Sequence, residues 1–472
     1  MKQAHRLRRL GTTVLLAGLV LGLLAFFLIP VVAGSGTPKA DGDAPAPAVL
    51  AAASATALAH LDPAAPAPDA AVLKSTLDPI LTSAQGASIS ASVIDVATGE
   101  ELYSRSGATP GIPASSLKVL TAIAATHAIG EDTRFTTRAV LKDANTVVLV
   151  GGGDVLLGSG SDSAAVSGRA GLGTLASRTA AALVEARAAS LVADTVAIQL
   201  DDSLFTGEPL NPAWDPSLLA SNDISPISPI AMYGARANAG AKAERVGDPG
   251  MYAAKTFAAA LGTALEAAGG PALGTAVTRA EAPAQGTELA SVDSATLGEQ
   301  VRFMLEVSDN YVAEALGRMV AVSGQAPGDH ANGARAVARI VGELGIDTTG
   351  MDLVDTSGLA AADRVSPLTL ASAMAHAATS EHAALRNIGY WLPVAGATGT
   401  MSARLGSGDT RGVVRAKTGS LMEVSSLTGQ TVSRDGRSLA FSILVHTGDR
   451  TIAPNKPVLD AAAAALTRCG CR

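Results

Sequence analysis

Hydrophobic and polar residues change their pattern several times along the chain. Residues 11–33 are uncharged and largely apolar, and Lys2, Arg6, Arg8 and Arg9 precede them. The run is long enough to cross a bilayer as a helix. Its basic flank sets the amino end in the cytoplasm. It reads either as a retained anchor, which its length favours, or as a signal peptide cut after Val31 and Ala33, so the expected unit is 1–34. The rest of the chain then lies outside the cytoplasm, in the membrane-tethered or wall space. Residues 35–72 are rich in Ala and Pro with little period, which predicts a semi-extended linker.

Regular patterning starts near Ile89. The string ISASVIDV alternates, Thr98-Gly99 breaks it, and ELYSRSG follows, which predicts strand, turn and strand. Pro113 at one end and Gly130 at the other bracket a predicted helix with Ser115 in its first turn. Between 135 and 294 come short strands (TTRAVL, TVVLVG, TVAIQL) and two Ala-rich helices near 172–189 and 251–268. Helical periodicity resumes at Gly298 and is interrupted at Ser308-Asp309-Asn310. VVRAKTG, SSLTGQTVS and SLAFSILVH are predicted strands, the last two joined around Asp435-Gly436 as a hairpin. An Ala-rich helix at 456–468 closes the chain. Strands at both ends with helices between predict an α+β or three-layer body whose first and last strands share a sheet.

Composition narrows the function classes. With 472 residues, 48% hydrophobic and 16% charged, the chain is neither disordered nor supercharged. Aromatics are only 3%, so the core must come from small and branched side chains. The net charge of −7, with no basic stripe, argues against nucleic acid as a partner. The histidines are scattered (His5, His60, His127, His330, His376, His382, His446) and the cysteines, Cys469 and Cys471, sit at the carboxyl end. No spacing suits a metal site, and no cofactor is expected. The cysteine pair is either a short-loop disulfide or two exposed thiols.

Three short strings carry the chemistry: Ser115-x-x-Lys118, Ser308-Asp309-Asn310 and Lys417-Thr418-Gly419. Their order is that of the S-x-x-K, S-D-N, K-T-G set of penicillin-recognising serine enzymes. Helical spacing puts residues i and i+3 on one face, so Lys118 can reach the Ser115 hydroxyl. A serine is a poor nucleophile until a base takes its proton. Lys118 must therefore be neutral part of the time, and desolvation together with the charge of Lys417 would lower its pKa. Taken singly, each residue has an ordinary alternative: Ser115 as a helix cap, Lys118 as a solvated charge, Asn310 as a turn former and Lys417 as an edge-strand charge.

The chain resembles the class C low-molecular-mass penicillin-binding proteins, the D-alanyl-D-alanine carboxypeptidase/endopeptidases. Beyond the three strings, the likeness rests on Gly151-Gly152-Gly153-Asp154, Asp201-Asp202-Ser203-Leu204-Phe205, Asn211-Pro212-Ala213-Trp214, Asp355-Thr356-Ser357-Gly358-Leu359, Arg364-Val365-Ser366-Pro367 and Leu392-Pro393-Val394-Ala395-Gly396. It runs from about 75 to 470. The resemblance implies a transpeptidase/β-lactamase-like core at 73–134 and 295–472, an antiparallel sheet flanked by helices, with a large inserted α/β region at 135–294. It implies peptidoglycan stem peptide as substrate and β-lactams as inhibitors. Ser115 would be the nucleophile and Lys118 its base. Ser308 and Lys417 would pass a proton to the leaving amine, and Asn310 would bind the acyl-side amide. The N–H groups of Ser115 and Ser420 would hold the oxyanion. Thr418, Gly419 and Ser420 would line the docking strand, with Asp201 and Arg364 as candidates for recognising the peptide, each equally readable as a structural ion-pair or turn residue.

Two other functions compete. A class A β-lactamase would need an E-x-x-x-N string between Asn310 and Lys417, and none occurs there; Glu208-Pro209-Leu210-Asn211 is one residue too short and precedes S-D-N. A wall-sensing module that acylates without turnover is the other alternative.

Overall fold

A computed structural model describes residues 64–84, 86–448 and 455–470. The apolar run at 11–33, and with it the choice between anchor and signal peptide, lies outside the described residues, as does most of the predicted linker. No described helix is long and apolar enough to cross a membrane.

The first described helix, α1 (Ala70–Thr82), begins inside the predicted linker. Asp69 caps it, its Oδ1 accepting from the amides of Ala71 and Val72. Leu73, Leu77 and Leu81 then recur every fourth residue and are buried. A cap followed by an apolar stripe outweighs the Ala/Pro composition that suggested a linker.

The expected sheet closes the two ends of the chain. β1 (Ser88–Asp95) pairs antiparallel with β2 (Glu101–Arg105) on one side. On the other it meets β10 (Ser438–His446), Ser88 opposite His446 and Asp95 opposite Leu439. β9 (Val424–Val432) and β8 (Arg415–Leu421) complete the order β2-β1-β10-β9-β8, with β8 at the edge. β10 is buried on both faces. Ala440 and Leu444 join a helical core on one side, and Leu439, Phe441, Ile443 and Val445 join α1 and the closing helix α10 (Lys456–Arg468) on the other. Cys469, just beyond α10, is buried and disulfide-bonded; Cys471 lies outside the described residues.

The helical side is built from α2 (Lys118–Ile129), α5 (Leu297–Val307), α6 (Asn310–Ser323), α7 (His330–Glu343), α8 (Pro367–Thr379) and α9 (Ala383–Trp391). Their buried Leu, Val, Ile and Ala side chains form one cluster. This is helix–sheet–helix layering, an α+β body.

Residues 136–293 form a second five-stranded sheet, ordered β6-β5-β4-β3-β7. β3 (Thr136–Asp143) is antiparallel to β4 (Thr146–Val150) and to β7 (Thr287–Asp293). β5 (Thr195–Asp201) is parallel to β4 and to β6 (Ala272–Arg279). Parallel pairs need crossovers, and α3 (Leu172–Ala188) and α4 (Pro249–Ala268) supply them. β6 and β7 were not expected. β6 is largely unburied, so its ALGTAVTR string has no alternation to read.

Candidate active site

The site forms where α2, α5, α6 and β8 converge. Ser115 does not lie in the α-helix proper. Ala114–Leu117 make a 3₁₀ turn, and the α-helix starts at Lys118. The tighter turn still aligns i with i+3, so the expected reach of Lys118 holds for a different helix geometry. Ala114 has φ 46°, strained for a residue with a Cβ. Gly358 packs against this residue so closely that any Cβ there would collide with the Ala114 carbonyl.

Ser308 and Asn310 are placed by a break between two helices. A capping box of Thr296 and Glu299 starts α5, and Ser308 ends it in the left-handed conformation, φ 60°. Asp309 then caps α6, its Oδ1 accepting from the amide of Val312. Asp309 is buried, and burial raises its pKa, but Arg245 and Arg236 outweigh that and hold it below the usual carboxylate range. Arg236 Nη1 donates to Asp309 Oδ2 at 2.8 Å. The break is thus anchored by a buried charge pair.

Lys118 is fully buried. Its Nζ lies 2.9 Å from Ser115 Oγ, 2.7 Å from Asn310 Oδ1 and 2.7 Å from the Ser357 carbonyl. Asn310 in turn donates from Nδ2 to the Asp223 carbonyl at 3.1 Å, which sets which end of its amide faces Lys118. Burial lowers the Lys118 pKa to about 8, against the opposing pull of Asp355, Asp309, Glu314 and Asp363. The lowering comes first from desolvation. The repulsion between the two lysines is plainest at Lys417, whose pKa falls well below its ordinary value through burial and then through the charge of Lys118.

Lys417 on β8 donates to Ser308 Oγ at 2.8 Å and to the Thr418 carbonyl at 2.6 Å. Thr418 Oγ1 donates to Thr400 Oγ1 at 2.9 Å. Gly419 explains the glycine of the third string: a Cβ there would stand 3.0 Å from the Ser115 amide and strike Ser426 Oγ. Edge strand and nucleophile turn therefore touch backbone to backbone. Ser426 Oγ donates to the Pro113 carbonyl and meets Ser116 Oγ at 2.9 Å, tying β9 to the same turn. Ser420 follows on β8 and is exposed. A cavity of 360 Å³, walled in part by Asp223, Tyr233, Arg236 and Phe303, opens beside Ser308 and Asn310.

Ser115, Lys118, Ser308, Asn310, Lys417, Thr418, Gly419 and Ser420 are thus gathered in one place. The other two candidates lie elsewhere. Asp201 ends β5, where Oδ1 accepts from Ser203 N and Oγ and Oδ2 accepts from Ala282 N. Arg364 pairs with Asp352 in an isolated bridge and donates to the carbonyls of Ala361 and Asp363. No described hydrogen bond joins either to Ser115, Lys118, Ser308, Asn310 or Lys417. Sequence reasoning missed three partners of the site, namely the carbonyls of Ser357 and Asp223 and the hydroxyl of Thr400. Backbone carbonyls leave no residue-type signal, although Gly358 in Asp-Thr-Ser-Gly-Leu marks the turn that presents the first. Among the described residues no cluster could hold a metal ion.

A half-buried serine paired with a fully buried lysine and backed by a second lysine on an edge strand defines a serine acyl-transfer enzyme of the penicillin-recognising kind. Comparison with known proteins sharpens this. The model of the D-Ala-D-Ala carboxypeptidase 3 (S13) family matches residues 71–250 and 230–466. Carboxypeptidase DacB of Mycolicibacterium smegmatis is 32% identical over 418 residues, 87% of each chain. A carboxypeptidase of Mycobacterium tuberculosis is 34% identical over 422 residues, 86% of each. The crystal structure of penicillin binding protein 4 from Haemophilus influenzae shares the fold at a TM-score of 0.62 and 21% identity, covering 84% of this chain and 98% of that one. The chain belongs to the D-Ala-D-Ala carboxypeptidase 3 (S13) family and is a serine carboxypeptidase of that class.

Proposed function

We propose that Ser115 attacks the carbonyl carbon of a terminal D-alanyl bond in a peptidoglycan stem peptide, with Lys118 as general base. One observation carries this reading. Of the three partners of Lys118 Nζ, the Asn310 amide oxygen and the Ser357 carbonyl can only accept. A neutral amine has two hydrogens and one lone pair. Its hydrogens go to those two acceptors, and the lone pair is left facing the Ser115 hydroxyl at 2.9 Å. The proton moves to Lys118 as the Ser115 Oγ–carbon bond forms, and the tetrahedral oxyanion accepts from the amides of Ser115 and Ser420. Collapse breaks the peptide C–N bond. The leaving amine takes a proton from Ser308, Lys417 resupplies Ser308, and the proton held by Lys118 restores Lys417. Water then adds its OH to the acyl carbon as the ester bond to Ser115 breaks, its remaining proton passing through Lys118 to Ser115 Oγ.

The β8 edge at Thr418–Ser420 suits the extended peptide, and Asn310 its acyl-side amide. Penicillins would acylate the same serine. Asp201 and Arg364 remain proposals for peptide recognition. The enzyme would work outside the cytoplasm, either anchored by its amino-terminal segment or secreted to the cell wall, with 135–294 as an inserted body.

A fluorescent penicillin tests the nucleophile. Wild type is expected to label and Ser115→Ala not to; undiminished labelling of the variant overturns the assignment. Release of D-alanine from a pentapeptide by wild type separates a hydrolase from a module that only acylates. Cross-linked muropeptide dimers as substrate then measure any endopeptidase action.

A further inference from the structure

Two strings of the sequence, Asn211-Pro212-Ala213-Trp214 and Asp355-Thr356-Ser357-Gly358, meet beneath Lys118, and of their residues only Ser357, through its carbonyl, enters the chemistry above. Asp355 is fully buried. Its Oδ1 accepts from the amides of Ser357 at 3.0 Å and Gly358 at 2.7 Å. Its Oδ2 accepts from the Ala360 amide at 2.8 Å and from Trp214 Nε1 at 2.9 Å. Asn211 Nδ2 grips the carbonyl just before it, that of Val354, at 2.7 Å. From the other side, Thr121 of α2 donates to the Thr356 carbonyl at 2.6 Å. Gly358, at φ 79°, lets the turn press on the backbone of Ala114, next to the nucleophile. The carbonyl left pointing out of this knot is that of Ser357, and it receives Lys118.

We infer that Asp355, locked by Trp214, is a positioning residue of this reaction: it shapes the 355–360 turn so that the Ser357 carbonyl holds one hydrogen of Lys118 and turns its lone pair to Ser115. The inference rests on the reading of Lys118 as the base. It adds a second effect, because Asp355 is also a charge beside that amine. The other charged groups facing this pocket are Asp309, Glu314 and Arg318 of α6 and its cap, Asp363 of the loop before α8, and Lys417 of β8. Burial, and then the charge of Asp355, raises the pKa of both Glu314 and Asp363. Removing that charge favours the neutral amine, so the acid limb of acylation moves to lower pH. Glu314 and Asp363 ionise more easily in its absence and recover part of the effect, so the limb moves down by less than the loss of one charge alone would move it.

The test is the rate of penicillin acylation against pH for the full chain, wild type, Asp355→Asn and Trp214→Phe, with folding checked by a cooperative melt. Trp214→Phe keeps an aromatic ring and removes the N–H donor with the five-membered ring that carries it. It is expected to slow acylation about tenfold, the kinetic equivalent of one displaced buried hydrogen bond, with the limb unmoved. Asp355→Asn is expected to slow it about a hundredfold and to move the limb down. A purely structural role would lower the melt without moving the limb. Wild-type rates in both folded variants overturn the inference. If Asp355→Asn does not fold, a wild-type rate in Trp214→Phe overturns it alone. Lys118→Ala separates the two levels: full acylation by that variant removes the base assignment itself, whereas its loss alongside an unaffected Asp355→Asn removes only the positioning role.

Discussion

The seam around Ser115 and the second sheet are built by opposite rules. At the seam the chain buries Ser116, Lys118, Thr121, Glu314, Asp355, Lys417 and Ser426. Under the second sheet, α3 and α4 bury Leu172, Leu175, Leu183, Phe257, Leu261 and Leu265 against Val147, Leu149 and Ile198. The charges there sit towards the rim, where Arg279 bonds Asp202 at 2.9 Å and Asp248 at 2.7 Å with about half of its side chain exposed. A buried polar group costs several kcal/mol unless its bonds are made. The seam meets that cost with three hydrogen-bond partners for Lys118, two for Lys417 and four N–H donors on Asp355. The second sheet meets it less often, with few buried polar side chains such as Thr137, Thr179 and Asp201. One region is therefore packed around polar groups, and the other mainly around apolar ones.

The sharpest way to break this contrast is to remove the base. Lys118→Ala should slow acylation by about 10²–10⁴-fold, the range for a positioned proton acceptor. The melting midpoint should change far less, because the variant discards a cation that burial disfavours. The pH dependence has a defined sign. With its pKa near 8 in the folded protein and 10.5 as the ordinary value, Lys118 binds fewer protons folded than unfolded between those limits. Its contribution to stability therefore rises with pH across that window. Acylation by wild type should likewise climb with pH and level off above about 8. Labelling rates and urea melts at several pH values check both, and a flat rate profile through that range would contradict the seam as described.

Next in size is the reverse experiment. Phe257→Ala in α4 empties a fully buried position, and such truncations cost about 3–5 kcal/mol. Denaturant melts should show that loss, while the acylation rate per folded molecule stays within about twofold of wild type. A large fall in that rate would mean that the two regions are coupled, and the contrast would have to be abandoned.

The same contrast explains what the sequence made legible. Local rules sufficed wherever a residue's role is set by its neighbours. The Asp435-Gly436 hairpin, the closing helix at Lys456–Arg468 and the helices of the second sheet lie where periodicity put them. The three strings converge because each occupies a local feature with its own signature: a helix start, a helix break and a strand. The groups that hold Lys118 from behind were hidden for a physical reason. Ser357 acts through its carbonyl, which every residue has, and Asp355 acts through four N–H groups drawn from two distant segments. The 3₁₀ turn at Ser115 was also hidden, since i and i+3 align in either helix. β6 escaped because an unburied edge strand has no apolar face to alternate. Of the two causes expected to lower the Lys118 pKa, desolvation and the charge of Lys417, desolvation leads.

The smallest effect decides the standing of Asp201. Its carboxylate closes the turn after β5 and reaches the Ala282 amide beyond β6, so it serves the second sheet by every bond it makes there. Asp201→Ala should cost about 1–2 kcal/mol, the loss of a capping acceptor that leaves amides short of partners. If that is its whole role, KM for the pentapeptide and for a diaminopimelate-containing dimer should stay unchanged relative to each other. A selective rise in KM for one of them, with kcat and the melt intact, would instead give Asp201 a part in recognition and carry the chemistry of the seam into the sheet that otherwise stands apart from it.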